Sequence, residues 1–80
     1  MNIQQVVANF CAQNNALGYR VQKAMEYRDA FARSDINSAE FQELMDDLQR
    51  LDNIQLSADE LDQQILFNDC INMLKNLPLS

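Results

Sequence analysis

Four carboxylates crowd one short stretch of the chain: Glu40, Glu43, Asp46 and Asp47. Residues three and four apart share a helix face, and carboxylates so placed could bridge a pair of metal ions. Helical-bundle sites of that kind also draw on histidine ligands, and the sequence contains no histidine. The same gap removes the commonest general base and every serine–histidine or cysteine–histidine nucleophile pair. Two cysteines, Cys11 and Cys70, cannot close a four-ligand zinc site within one chain. One glycine, Gly18, cannot build a loop that cradles phosphate. No catalytic residue, metal site or cofactor is expected, and the four carboxylates read as a solvated face. Both cysteines fall on or beside apolar arcs with no evident partner to lower their pKa, so buried, inert thiols are expected. Redox pairing between helices is the minor alternative.

The elements that carry these residues begin with a repeated phrase. "INSAEF" starts at Ile36 and "LSADEL" at Leu56. In each, a small polar residue (Asn37, Ser57) caps a first helical turn and a glutamate (Glu40, Glu60) reaches back to the cap. Flanking apolar residues, Ile36 with Phe41 and Leu56 with Leu61, form hydrophobic staples. One helix is therefore expected from about Ser38 to Asp52. A second is expected from about Ala58 to Asn76, stopped by Pro78. The short link "NIQL" makes them an antiparallel hairpin. Phe41, Leu44, Met45, Leu48 and Leu51 fall on one arc of the first arm. On the second, Leu66, Phe67, Cys70, Ile71, Met73, Leu74 and Leu77 form a broad arc, and Ile65 is stranded on the other side.

The N-terminal third is harder to read, because "NNALGY" resembles a turn and Gly18 could end a helix. No capping box follows it, however. Ile3 and Val21, Val6 and Ala24, and Val7 and Met25 are each about five helical turns apart, so the apolar face keeps its phase. The favoured reading is one helix from about Asn2 to Arg33, roughly 45 Å long and kinked at most near Gly18. Two shorter helices are the alternative. Within the long seam Asn14 and Arg28 are polar, and such residues can specify register or oligomeric state. Equally, Arg28 could snorkel to a carboxylate and Asn14 bond a backbone group. On the outer side Tyr19, Arg20, Lys23 and Tyr27 share a strip, and tyrosine and arginine are enriched at binding hot spots.

Eighty residues make one domain, which buries only about 60–65% of the unfolded chain's surface. The expected fold is all-α. A long N-terminal helix packs with a C-terminal hairpin, three-helix-bundle-like, or in four helices if broken near Gly18. Arg20, Lys23, Arg28 and Arg33 against Glu26 and Asp29 give residues 1–34 a charge of +2. Arg50 and Lys75 against ten carboxylates give residues 35–80 a charge of −8, for a net −6. Direct nucleic-acid binding through phosphate neutralisation is not expected. The longest apolar run near the C-terminus is "ILF", far short of a membrane span, and no charged-then-apolar leader precedes it. A soluble, cytoplasmic protein is expected.

The expected function is non-catalytic protein–protein interaction. The class is an adaptor, assembly factor, chaperone-like subunit or small inhibitor, of the type phages encode as accessory proteins. The partner is another protein, either a second copy or a different chain. One long helix would outreach its hairpin and leave Ile3, Val7 and Phe10 exposed, and Ile65 points the same way. The alternative is an acidic nucleic-acid mimic that inhibits a DNA-binding protein, its binding falling steeply with salt.

Overall fold

The computed structural model describes residues 2–76. They form five α-helices: α1 (Ile3–Ala12), α2 (Ala16–Ala32), α3 (Ser38–Gln49), α4 (Ala58–Asp62) and α5 (Gln64–Asn76). Among the described residues there is no strand. Leu77 and Pro78 lie outside them.

Both local capping boxes form. Asn37 Oδ1 accepts from the Glu40 N–H at 2.8 Å, and the Asn37 N–H donates to Glu40 Oε1 at 3.1 Å. Ser57 Oγ accepts from the Glu60 N–H at 3.3 Å, and the Ser57 N–H donates to Glu60 Oε1 at 2.9 Å. Each box satisfies two N–H groups that a helix start otherwise leaves unpaired. The first arm ends at Gln49 rather than Asp52, and the connection runs from Arg50 to Ser57. The second arm is divided at Gln63, where a tightened turn (the Gln63 N–H to the Glu60 carbonyl, 3.1 Å) separates α4 from α5.

The single long N-terminal helix does not exist. The chain breaks at Gln13–Asn15, ahead of Gly18. Gln13 and Asn15 both adopt extended backbone, and Asn15 Oδ1 accepts from the Gly18 N–H at 2.8 Å. Asparagine is among the best N-cap residues, so α2 has a proper start. Gly18 is helical, with no positive φ. A Cβ there would collide with the carbonyl oxygens of Phe10 and Gln13. Glycine lets the end of α1 lie against the first turn of α2.

α2 ends in a Schellman arrangement. The Ser34 N–H donates to the Phe31 carbonyl at 3.0 Å and the Asp35 N–H to the Ala30 carbonyl at 2.9 Å, with Ser34 left-handed at φ 63°. These bonds take up carbonyls that the helix end would otherwise leave open.

Folding back at Gln13–Asn15 lets α1 run against α2. Gln22 reaches the Cys11 carbonyl at 3.1 Å, and Met25 and Arg28 border the same cleft as Ile3 and Val7. α3 runs against α2, with Phe31 stacked on Phe41 (4.6 Å between centroids) and Arg20 reaching the Leu48 carbonyl. α5 runs against α3 through Asp46–Lys75 (2.7 Å) and Gln49–Asn72 (2.9 Å). The core draws Val6 and Phe10 from α1, and Leu17, Val21 and Ala24 from α2. α3 adds Phe41, Met45 and Leu48, and α5 adds Phe67, Cys70, Ile71 and Leu74. Phe10 meets Phe67 edge-on at 6.1 Å. Each buried phenylalanine contributes roughly 1.5–3 kcal/mol.

Candidate functional site

The α3 carboxylates are exposed and mostly engaged by their own chain. Glu40 closes its cap, Asp46 pairs with Lys75, and Asp47 pairs with Arg50 at 3.2 Å. Among the described residues, no three histidine, cysteine, aspartate or glutamate side chains converge as metal ligands. No helix among them is long and apolar enough to cross a membrane.

The cysteines are both free thiols. Cys70 is fully buried and Cys11 half-buried. Burial, with a smaller contribution from Cys11, pushes Cys70 up to about 11, and burial also raises Cys11. Thiols held protonated at neutral pH are poor nucleophiles.

Asn14 and Arg28 do not share a continuous seam, because the seam is interrupted at Asn14 itself. Asn14 is an exposed residue of the break. Arg28 is half-buried and borders a cleft of about 510 Å³ with Ile3, Gln4, Val7, Ala8, Met25 and Leu74. The outer strip of α2 is split. Tyr19 is 61% exposed, with Lys23 Nζ 5.6 Å from its ring centre. Lys23 also pairs with Glu26 at 3.5 Å. Arg20 turns to the Leu48 carbonyl near the end of α3, and Tyr27 packs on the edge of the core. Ile3 and Val7 are half-buried, and Phe10 is enclosed by this chain's own core.

Ile65 stands out, at 79% exposed. On the same helix Met73 is 41% and Leu66 39% exposed, and on α4 Leu61 is 54% exposed. The sequence arc assigned Leu66 and Met73 to the core. They lie at the edge of α5 that faces away from α2 and α3, because the inward side is filled by Phe67, Cys70, Ile71 and Leu74. The stranded position of Ile65 was the one signal of this outer face available in the sequence.

Glu60 has a second role that its local box conceals. It is buried, and its Oε2 accepts from the Ala16 N–H at 3.0 Å, across 44 positions of chain. The Ser57 N–H lowers its pKa most, and the Ala16 and Leu17 N–H groups lower it further, against an opposing effect of burial. One carboxylate thus caps both α4 and α2. Compared with family models, curated proteins and solved structures, the chain matches none.

Proposed function

We propose that this protein is a non-catalytic protein–protein interaction module whose contact surface is the outer face of α4 and α5. The reading is carried by the exposure of Ile65, with Leu66 and Met73 exposed on the same helix and Leu61 exposed on α4. Large apolar side chains clustered on one face, and not needed by the chain's own core, are characteristic of contact surfaces. The residue inventory supports a non-catalytic role, since it offers no base–nucleophile pair and its thiols are held neutral. An acidic mimic would need an ordered row of free carboxylates, and three of the four on α3 are engaged within the chain.

The architecture in this reading is an up-and-down four-helix bundle of α1, α2, α3 and α5, with α4 as a short lead-in turn. Such a bundle leaves the outward side of each helix free. Co-purification of the tagged chain from its native host, wild type beside Ile65→Ser, tests the reading. Loss of a stoichiometric partner in the variant, with an unchanged helical circular-dichroism spectrum and Tm, supports it. Equal recovery of that partner by both chains defeats it.

A further inference from the structure

We infer that the partner presents a cationic amphipathic helix to this face, an inference that rests on the interaction reading above. In α5, Ile65, Asp69 and Met73 follow one another at four-residue steps, with Leu66 beside them. At 100° per residue the four share an arc of about 100°. Asp62 and Asp59 are exposed just upstream. None of the three aspartates has a salt bridge among the described residues. The nearest cations in the sequence are committed elsewhere, Lys75 to Asp46 at 2.7 Å and Gln49 at 3.2 Å, and Arg50 to Asp47 at 3.2 Å.

A partner that covers Ile65 and Met73 must also cover Asp69, which lies between them. A purely apolar cover would leave a desolvated carboxylate without a counter-charge, which is strongly unfavourable. Lysine or arginine opposite Asp69 removes that cost, and the exposed Asp62 and Asp59 just upstream add to the attraction. A helix delivers it in step, because its own rows repeat every three to four residues along a face. Ile65 and Met73 are about 12 Å apart along α5, so two turns of a partner helix reach both. Beside Leu66, a cleft of about 190 Å³ between α1 and α5, lined by Val6, Asn9, Phe10, Gln13 and Gln63, has room for an apolar anchor.

A second copy of this chain fits poorly, since a two-fold contact through the same face sets its aspartates against one another. An anionic membrane is repelled by the same charges.

The test uses the full-length protein and two labelled model peptides of about 18 residues, long enough for five helical turns. Both carry one leucine pattern, with lysine at the polar positions of one and glutamate at those of the other. Fluorescence anisotropy is expected to show the lysine peptide binding at least about tenfold more tightly. Ile65→Ser is expected to weaken it about tenfold. Asp62→Asn with Asp69→Asn is expected to weaken it and to flatten its salt dependence, while Glu43→Gln on the far acidic face leaves it unchanged.

Equal affinity for the two peptides, or lysine-peptide binding indifferent to Ile65→Ser, overturns the inference. So does concentration-dependent self-association that Ile65→Ser abolishes, or Ile65-dependent binding to anionic vesicles in place of the peptide. If neither peptide binds and the native partner still depends on Ile65, the cationic helix is refuted and the interaction reading stands. If the native partner ignores Ile65, both fall.

Discussion

Glu60 and Gly18 together hold the junction of α1, α2 and α4. The Glu60 pKa is lowered in the folded chain, first by the Ser57 N–H and side chain and then by the N–H groups of Ala16 and Leu17, against an opposing effect of burial. A depressed carboxylate pKa adds stability that is fully present above the unfolded value and is lost as pH falls through the folded one. Glu60→Gln is therefore expected to lower Tm at pH 7. The gap to wild type should narrow below about pH 4, where the unfolded carboxylate is protonated. Thermal unfolding by circular dichroism from pH 7 to pH 3 measures it, and a pH-independent gap contradicts the double-capping role. At Gly18, alanine in an ordinary helix interior would stabilise by up to about 1 kcal/mol. Here its Cβ would strike the Phe10 and Gln13 carbonyls, so Gly18→Ala is expected to destabilise by about 1–3 kcal/mol. Urea unfolding gives the sign directly, and a stabilised variant would mean that α1 does not pack against this turn.

The helix starts are local devices, and their loss has a local cost. Ser57→Ala removes the side-chain half of the α4 cap and is expected to cost about 1 kcal/mol, read as a lower urea midpoint at an unchanged slope. Ser34 holds a left-handed conformation at the end of α2, where a Cβ is unfavourable and glycine is not. Ser34→Gly is expected to raise stability by up to about 1 kcal/mol, measured the same way. The two arms were legible because a capping box uses only residues within one turn. The division at Gln63 was not, because no glycine or proline marks it. It falls between α4, tied by Glu60 to the start of α2, and α5, which follows the core.

For the whole molecule, the division of the N-terminal third into two shorter helices changes the argument about assembly. At 1.5 Å per residue, α1, α2, α3 and α5 are about 15, 26, 18 and 20 Å long, and the described chain measures 37 × 28 × 18 Å. No 45 Å helix is left half covered, and Val6 and Phe10 are buried by α1 folding back. The argument from an overreaching helix therefore no longer applies to Val6 and Phe10, while Ile3 and Val7 are half-buried and line the cleft beside Arg28. Sedimentation equilibrium at micromolar concentration is expected to give a 9.2 kDa monomer. A dimer that persists at those concentrations would contradict the like-charge argument against a second copy on the outer face of α4 and α5.

By itself the sequence determined the all-helical class, the first residues of α3 and α4 and the amphipathic face of α3. Each of these depends on residue type or on neighbours within a turn. The break at Gln13–Asn15 was decided only in three dimensions. The turn-like "NNALGY" left two shorter helices open as the alternative, and Asn15 does cap Gly18 locally, but the carboxylate that completes this helix start comes from Glu60, 44 positions away. The 18-residue phase from Ile3 to Val21 suggested one continuous helix, yet two helices folded against each other also turn their apolar faces toward one core. The same holds for the surface. Periodicity places Leu66 and Met73 in the apolar arc, but which side chains stay dry depends on the helices that pack over them, and Ile65 is left 79% exposed among the described residues.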